Sequence, residues 1–500
     1  MNDGKKITVA LIVILALGLL FRLYLTSLDI RVLLPNLLSD DVFYYLKVAE
    51  NIGKGVGASF DGINWTNGFH PLYALFLMFM YSLNGFGLET PVRVSLILLS
   101  LFDVLTAFVI YKILLLPSLG LNRKSALIGS FFWIFNPFII SGTFYCLETA
   151  ISTFFVSLAI YSYLKTRNSQ NKKSCIITGF ILGVAMLARM DSAFLAVAIA
   201  VDLILQKKIS KLFTIGLTAF LIVSPWFAWS YLNFGMIQQN SGAVLSFMNK
   251  FSSSTLSSIM YGMYLSLRII LMFVLSMILP LGFILLCSLL KKVELKINYK
   301  KLLLNFIILF SLFLILYYPL AVGGVTRRYY QPLLVVSAIV VGMAFKPLAS
   351  LKNKTQAIFV ILVIVNLLSI GVFYWLYRPV SAQSWHLELY ETALWINDNT
   401  DFSDRIGGFN SGIIGYYSNR TVVNLDGVIN DGAYRAIITR NLFEYIKEQD
   451  IKYLVDNENT FNAIRPFMGD EDYQANLREV YRKPLEGHEG EYIVVYEVLY

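Results

Sequence analysis

The stretch ITVALIVILALGLLF, residues 7–21, is an unbroken apolar run that follows Lys5 and Lys6. The run continues to Tyr24 and no small-x-small cleavage site follows it, which predicts an uncleaved first membrane span rather than a secretory signal. Further apolar runs of roughly 16 to 28 residues fill the first three quarters of the chain, and a helix needs about 20 residues to cross a bilayer. The sequence therefore predicts a polytopic α-helical membrane protein.

The amino-acid composition supports this fold class. Hydrophobic residues make up 57% of the 500 residues and charged residues 15%, whereas the surface of a soluble globule of this size needs far more charge. The three cysteines, Cys146, Cys175 and Cys287, lie in or beside apolar runs without the spacing of a disulfide framework or a zinc site. We interpret them as packing residues.

The charges divide the chain into two parts. Of the 41 Lys and Arg residues, 31 lie in residues 1–378, whereas 20 of the 32 Asp and Glu residues lie in residues 379–500. A basic excess in short loops between apolar runs is the positive-inside pattern, so it does not indicate a nucleic-acid partner. It predicts a multi-pass protein of the cell membrane with a cytoplasmic N-terminus and an acidic extracytoplasmic domain.

Placing every basic loop in the cytoplasm defines the candidate spans. These are residues 7–26, 126–143, 149–164, 176–188, 192–206, 212–232, 262–290, 302–321, 331–347 and 356–377. Segment 71–116 holds two apolar runs, but the alternation allows only an odd number of crossings there, so one run is expected to be tilted, short or partly re-entrant. We expect about 11 to 13 transmembrane helices in all.

The sequence changes character after Arg378. The segment ETALWINDNTD has the pattern of an amphipathic helix, and RIGGFN, TVVNLDG, IKYLVDN and EYIVVYEV are typical of short strands, with a helical pattern in residues 430–449. We therefore predict a transmembrane domain over residues 1–378, with a first outer loop at residues 27–70, and a small extracytoplasmic α/β domain over residues 379–500.

The first outer loop contains the polar stretch SDDVFYYLKVAENIGKGVGASFDGINWTNGFHP, residues 39–71. Asp40 and Asp41 follow the exit from the first span, where a partly buried carboxylate can act as a general base. Adjacent acids point in different directions, so we expect one of them to face the site. The alternative interpretation is structural, with Ser39 or Asp40 as the cap of a helix and Asp41 in its first turn.

Further ionisable residues lie on the same predicted outer side. His70 ends the first loop, Glu148 lies at a helix start, and Arg189 and Asp191 lie in a tight turn. Each has a structural alternative: a hydrogen-bonding histidine, a favourable first-turn acid, and an ion pair at the membrane edge. Ionisable groups beside apolar runs are nevertheless candidates for function.

The cluster Arg327-Arg328-Tyr329 lies on the outer side, where the positive-inside pattern predicts few arginines. The planar guanidinium suits a phosphate, so this cluster is a candidate site for a lipid phosphate or pyrophosphate, and the alternative is a head-group anchor. A divalent metal held by Asp40 and Asp41 with Glu148 or His70 is chemically conceivable but rests on adjacent acids without a third fixed ligand. No cofactor is predicted.

The residues DDVFYYLKVAENI and FDGINWTNGFHPLY resemble the first outer loop of the GT-C superfamily of polytopic glycosyltransferases. YCLETA, LARMDSAF, RRYYQP and the tail are similar as well, and the relatives that come nearest are the protein O-mannosyltransferases and the lipid A aminoarabinose transferases. The resemblance implies a polyprenyl-phosphate-sugar donor, inverting transfer on the outer face, Asp41 or Asp40 as base, Glu148 at the second acidic position, and Arg327 or Arg328 as a ligand of the donor phosphate. The Asp-Glu arrangement of the mannosyltransferases is missing, so the acceptor is not inherited from them and stays open among a glycan, a lipid and a protein.

Two other functions compete with this one. A non-enzymatic transporter or flippase of lipid-linked sugars needs polar groups through the depth of the membrane, but only Asp103 and Asp202 lie well inside apolar runs. A partner-binding outer domain on a membrane anchor needs one span rather than about ten. The sequence therefore favours a glycosyltransferase.

Overall fold

The computed structural model describes residues 3–82, 85, 87–252, 255–290, 305–322, 326–346, 385–469 and 473–499. The α-helices before residue 347, numbered in chain order, are α1 (Asp3–Thr26), α2 (Ile30–Asn36), α3 (Asp41–Gly53), α4 (Pro71–Tyr81), α5 (Glu89–Leu114), α6 (Arg123–Ile134), α7 (Pro137–Phe144), α8 (Thr149–Thr166), α9 (Lys172–Ala188), α10 (Ala193–Leu205), α11 (Ile209–Phe234), α12 (Asn240–Ser252), α13 (Thr255–Leu290), α14 (Asn305–Tyr317) and α15 (Leu333–Phe345). Short 3₁₀ turns lie at Met190–Ser192 and Arg327–Tyr330, and a π turn lies at Tyr318–Val322.

Within these ranges, three helices, α1, α5 and α11, are long and apolar enough to cross a membrane. Helices α6 and α7 meet the same criterion as a pair but are bent by 45°, so the candidate span at 126–143 contains a break. The break lies at Asn136, whose side chain accepts a hydrogen bond from the N–H of Phe138, and Pro137 begins α7 without an N–H of its own. The predicted span 356–377 lies outside the described residues.

Segment 71–116 contains one short and one long helix. Helix α4 has 11 residues, or about 16 Å, and is too short to cross the hydrocarbon core alone, whereas α5 has 26 residues. The expectation that one of the two runs is short is thus confirmed.

The C-terminal part is a small α/β domain. Its elements are α16 (His386–Asn399), β1 (Arg405–Gly408), α17 (Gly412–Tyr417), β2 (Thr421–Asn424), α18 (Asp431–Thr439), α19 (Leu442–Glu448), β3 (Ile451–Asn457), α20 (Glu458–Ile464), β4 (Leu477–Pro484) and β5 (Tyr492–Val498). The strand order is β2-β1-β3-β5-β4, with β1 parallel to β2 and β3, and β5 antiparallel to β3 and β4. The predicted fold class is confirmed.

Strand β4 is absent from the sequence prediction because half of its residues, LREVYRKP, are charged and none of them is fully buried. The helical pattern at residues 430–449 forms two helices rather than one, because Arg440 adopts a left-handed conformation with φ of 53° and ends α18.

The first outer loop and the C-terminal domain share one hydrophobic core. The ring of Phe43 in α3 lies 5.2 Å from that of Tyr416 and 5.4 Å from that of Tyr417, both in α17. A Cβ at Gly415 would lie 2.3 Å from the ring of Phe60, so a glycine is needed where the loop crosses α17. The domain boundary predicted at residues 378 and 379 falls outside the described residues and stays a prediction.

Both acids inside apolar runs have a basic partner. Asp103 in α5 forms a fully buried ion pair with Arg22 in α1, at 3.2 Å. Asp202 in α10 is paired with Arg167 at 2.9 Å and accepts a hydrogen bond from Tyr163. Each acid pairs with an arginine from another part of the chain. We therefore interpret Asp103 and Asp202 as contacts that hold helices together and not as part of a polar pathway across the membrane.

We expect Asp103→Leu to lower the free energy of unfolding by about 3–5 kcal/mol, because it leaves Arg22 buried without its counter-charge. The melting temperature of the purified chain in detergent micelles measures this effect. Leu17→Ala is the matched control, since that α1 side chain is 52% exposed. A melting temperature of Asp103→Leu equal to that of the control would show that the ion pair does not stabilise the packing of α1 on α5.

Candidate active site

The two adjacent acids of the first loop point to different parts of the protein. Asp40 is 7% exposed, and its Oδ1 and Oδ2 accept hydrogen bonds from the backbone N–H groups of Ile413 at 2.7 Å and Gly412 at 3.1 Å. Asp41 begins α3, and its carboxylate contacts Arg328 instead. Asp40 therefore accepts hydrogen bonds from the free backbone N–H groups at the start of α17 in the C-terminal domain.

The structure confirms the structural interpretation in position, with Asp40 as the cap of α3 and Asp41 in its first turn. Asp40 occupies the N-cap position of α3, but its side chain makes no cap hydrogen bond there. The orphan N–H groups at the start of α17 are the donors it satisfies instead. Tyr44, one turn further along α3, adds to this contact: its hydroxyl donates to the carbonyl of Phe409 at 3.2 Å and accepts from the N–H of Ser411 at 3.0 Å.

Burial raises the pKa of Asp40 from 3.8 to about 7, although its two backbone hydrogen bonds oppose the shift. Between these pH values the folded chain holds a proton that the unfolded chain has released, so the contribution of Asp40 to stability falls as the pH rises from about 4 to about 7. Above that range its contribution no longer changes with pH.

We therefore expect the melting temperature of the wild type to fall more steeply between pH 5 and pH 7.5 than that of Asp40→Asn. Asp426 and Asp456 are also acids with raised pKa, but they are present in both chains, so the difference between the two slopes reports the removal of the Asp40 carboxyl. Parallel slopes would contradict the assignment of a titrating carboxyl to this contact.

Asp41 forms an ion pair with Arg328, with 2.9 Å between its Oδ2 and the guanidinium Nη1. The side chain of Asp41 is 41% exposed and that of Arg328 is 20% exposed, so the pair is accessible from one side. The Nε of Arg328 is buried without a hydrogen-bond partner. Burial alone would lower the pKa of Arg328, but Tyr329, Asp41 and Glu148 raise it above its usual value, so the guanidinium stays charged.

Arg189 is the centre of a second cluster. Its guanidinium donates to both carboxylate oxygens of Asp191 at 3.0 to 3.2 Å, to Oε1 of Glu148 at 2.6 Å and to the hydroxyl of Tyr318 at 2.9 Å. Each of its three nitrogens has a partner, and the residue is 5% exposed. The ion pair between Arg189 and Asp191 that the sequence suggested is present, and it extends to Glu148.

Glu148 connects this cluster to the first loop. Tyr45 of α3 donates a hydrogen bond to its Oε2 at 3.0 Å, and Nε2 of His70 lies 3.7 Å from its Oε1. Burial alone would raise the pKa of Glu148, but the positive charges around it lower the pKa to about 2. Burial lowers the pKa of His70 to about 4, so the imidazole is neutral at pH 7. At that pH the positive charges that keep Glu148 ionised are those of Arg189 and Arg328.

Two positive charges of the site contact the same ring, that of Tyr329. The guanidinium carbons of Arg189 and Arg328 each lie 5.3 Å from its centroid, and Tyr318 stacks on the same ring at 4.3 Å. Cation–π attraction to one shared ring stabilises two guanidinium groups that would otherwise repel each other. The cluster around Glu148 and the Asp41–Arg328 pair are thus adjacent parts of one site.

Arg327 points away from Arg328. Its Nη2 donates to the hydroxyl of Tyr145 at 2.8 Å, and the guanidinium lies 5.9 Å from the Tyr145 ring. The 3₁₀ turn at Arg327–Tyr330 therefore presents one arginine to Asp41 and the other to the segment before α8.

Three residues that contact this site are absent from the sequence prediction. Tyr45 follows Asp41 by one helical turn, Tyr318 lies in the π turn after α14, and the side chain of Gln239 reaches Nδ1 of His70 at 3.2 Å. The spacing of Tyr45 from Asp41 on one helix face was a usable signal. Gln239 carried no such signal, because the sequence does not distinguish an uncharged loop residue that contacts a site from one that does not.

The part of the chain that the structure describes contains no group of three or more His, Cys, Asp or Glu residues that could hold a metal ion. Asp40 is engaged with α17, and Asp41 is paired with Arg328, so the two acids do not converge with Glu148 or His70 on one point. The donors do not fit the divalent metal considered from the sequence.

Comparisons with known proteins place the fold. Residues 70–229 match the family model of dolichyl-phosphate-mannose-protein mannosyltransferases, and residues 378–496 match a domain of unknown function. No protein of curated function matches at a significant level. ArnT from Cupriavidus metallidurans bound to undecaprenyl phosphate is 12% identical, with 97% of each chain covered and a TM-score of 0.55, and its apo form is 11% identical, with the same coverage and a TM-score of 0.56.

AglB, the oligosaccharyltransferase of Archaeoglobus fulgidus, in complex with an inhibitory peptide and a dolichol-phosphate, is 11% identical over 96% of this chain and 74% of that chain, with a TM-score of 0.49. The likeness to ArnT concerns the fold, and the mannosyltransferase model supports the predicted enzyme class. The resemblance inferred from the sequence is confirmed.

Proposed function

Since the chain has the fold of the GT-C membrane glycosyltransferases, we propose that it transfers a sugar from a polyprenyl-phosphate donor to an acceptor on the outer face of the membrane. Asp41 is the general base, Arg328 binds the donor phosphate, and the transfer inverts the anomeric configuration. The description of the matching family model names a dolichyl-phosphate-mannose donor, and the ArnT structure holds undecaprenyl phosphate, which supports a lipid-phosphate donor here.

The observation that carries this proposal is the ion pair between Asp41 and Arg328 at 2.9 Å. A base and a phosphate ligand must lie on either side of the reacting anomeric carbon, so they must be close together and accessible. Both residues are partly exposed, and the unpartnered Nε of Arg328 leaves a donor for a phosphate oxygen. A phosphate entering beside Arg328 competes for the guanidinium and frees the Asp41 carboxylate to accept a proton.

The chemical step follows from these positions. Asp41 removes the proton of an acceptor hydroxyl or amine, whose atom forms a bond to the anomeric carbon while the bond from that carbon to the phosphate oxygen breaks. The electron pair of the broken bond stays on the polyprenyl phosphate, where Arg328 stabilises the added negative charge. A phosphate leaves without protonation, so a second carboxylic acid is not needed, unlike in glycoside hydrolysis.

The other predicted site residues support these two. Arg189 forms ion pairs with Asp191 and Glu148, so these charges are already balanced. Their role in the proposal is to fix the position of Tyr329 and, through its ring, that of Arg328. Arg327 extends the positive surface towards Tyr145, beside the proposed phosphate position. The His70 side chain lies 3.7 Å from Glu148 and is 17% exposed, so we assign it to the donor sugar.

The test uses the full chain in proteoliposomes with a radiolabelled polyprenyl-phosphate-mannose and a mixture of acceptors extracted from the native envelope. The proposal expects label to move from the lipid to an acceptor, and NMR of the product is expected to show an anomeric configuration opposite to that of the donor. Movement of intact labelled lipid between leaflets without any loss of label from the lipid would instead support the flippase.

A further inference from the structure

The end of the first loop is held against the segment before α12 by a set of uncharged hydrogen bonds. The side-chain amide of Asn67 donates to Ser230 and to the carbonyl of Gln238, and its oxygen accepts from the N–H of Asn240 at 2.9 Å. The side-chain nitrogen of Gln239 donates to the carbonyl of Phe69 at 2.5 Å. The two segments thus form one polar wall, and Nε2 of His70, which ends the first loop, lies 3.7 Å from Glu148.

The same contacts determine which nitrogen of His70 carries its proton. Gln239 offers an N–H to Nδ1 of His70 at 3.2 Å, so Nδ1 is the acceptor and the hydrogen of the neutral imidazole lies on Nε2. Nε2 is 3.7 Å from Glu148, beyond hydrogen-bond distance. The His70 side chain is 17% exposed, so part of the imidazole is accessible to a ligand.

Asn240 provides a second hydrogen-bonding group in the same wall. The residue is fully buried, and neither the oxygen nor the nitrogen of its side-chain amide has a hydrogen-bond partner. Burying an amide without partners is unfavourable, so such a group in a folded chain calls for a missing polar ligand. An amide offers a donor and an acceptor side by side, which matches a hydroxyl group or a pair of neighbouring hydroxyl groups.

The wall carries no net charge. His70 is neutral, Gln239 and Asn240 are amides, and the charge of Glu148 is balanced by the Arg189 guanidinium at 2.6 Å. A cationic sugar entering here would have to compete with Arg189 for Glu148, and an anionic sugar would meet the Glu148 carboxylate. Hydroxyl groups meet neither obstacle.

We propose that His70, Gln239 and Asn240 form the subsite that binds the hydroxyl groups of the transferred sugar and that it selects an uncharged sugar. The proposal rests on the proposed function, because it places this sugar on the donor whose phosphate Arg328 binds. His70 donates from Nε2, Asn240 donates and accepts, and Gln239 holds the imidazole in the required tautomer. Gln239 is therefore a positioning residue, and the other two bind the sugar.

The experiment compares the binding of two lipids, polyprenyl-phosphate-mannose and polyprenyl phosphate without a sugar, to the full chain in detergent micelles. We expect Asn240→Ala and the isosteric Asn240→Asp to weaken binding of the mannose lipid about tenfold, as for the loss of one or two buried hydrogen bonds, and to leave binding of polyprenyl phosphate within about twofold of the wild type. Gln238→Ala is the matched control, since its exposed side chain lies in the same segment and only its backbone carbonyl contacts the first loop.

A second arm replaces mannose by a 4-amino sugar on the same lipid phosphate. The subsite predicts at least about tenfold weaker binding of the cationic sugar lipid by the wild type. Equal binding of the two sugar lipids, or an Asn240 variant that loses both lipids equally or neither, overturns the subsite. A wild type that binds neither lipid overturns the proposed function as well, so the two failures are distinguishable.

For Gln239 the readout is the pH profile. If Gln239 only positions His70, Gln239→Glu places a charge beside Nδ1 and should shift the pH dependence of mannose-lipid binding upward, because a neighbouring carboxylate favours the protonated imidazole. Gln239→Ala should weaken binding without that shift. Identical pH profiles in the wild type and Gln239→Glu would overturn the assigned role of Gln239.

Discussion

Asp41→Asn is expected to reduce sugar transfer by about a hundredfold to ten-thousandfold, the range that a positioned general base contributes. The amide is isosteric and can still contact Arg328, but it cannot accept the proton of the acceptor. We expect binding of the polyprenyl-phosphate-sugar to change little, because the phosphate ligand is untouched. Initial rates of label transfer in proteoliposomes, with the donor concentration varied, separate the two effects.

The matched control for Asp41→Asn is the same substitution one residue earlier. Asp40→Asn keeps a side-chain oxygen that can accept from α17 and removes a charge that burial already disfavours, so it should retain most of the activity. Loss of activity in Asp40→Asn with full activity in Asp41→Asn would reverse the assignment of the base. Full activity in both variants would refute a base in the first loop altogether.

Arg328→Ala is expected to weaken donor binding and slow transfer together, by about 10²–10³ in kcat/KM, as for the removal of one group that stabilises developing charge. Arg328→Lys should recover part of this loss, because a lysine keeps the positive charge but not the planar donor pair. Binding of polyprenyl phosphate without a sugar isolates the phosphate contact and should weaken in both variants.

Arg435→Ala is the control for the loss of one arginine. Arg435 is an exposed residue of α18 and is paired with Asp431 in the same helix. Unchanged binding of polyprenyl phosphate by Arg328→Ala, at the level of the Arg435 control, would remove Arg328 from the proposed phosphate site.

Much of the architecture could be predicted from the sequence because it is set by local patterns. Apolar runs of sufficient length and the basic loops between them indicated the membrane fold, and short runs rich in strand-forming residues located β1, β2, β3 and β5. The break at Asn136 was missed because an apolar run continues through it, although the Asn-Pro pair is a helix-start signal. Strand β4 was missed because its charged side chains lack an apolar face.

The site was predicted less completely because its geometry is set by contacts between distant segments. Asp40 and Asp41 are equivalent in the sequence, and only the backbone of Gly412 and Ile413 on one side and Arg328 on the other distinguishes them. The charged residues stood out because charges are rare in apolar surroundings. Asn240 did not, because an uncharged amide in a polar segment has no such contrast.

The peptide bond between Asp40 and Asp41 joins two residues anchored on different parts of the protein, Asp40 on α17 of the C-terminal domain and Asp41 on the 3₁₀ turn before α15. Their Cα atoms are about 3.8 Å apart, as across any trans peptide. A displacement of the C-terminal domain relative to the helices is therefore transmitted to the carboxylate of Asp41 through a single rigid unit. The C-terminal domain is thus coupled to the Asp41 carboxylate over a short distance, so a molecule that shifts this domain would also change the position of that carboxylate.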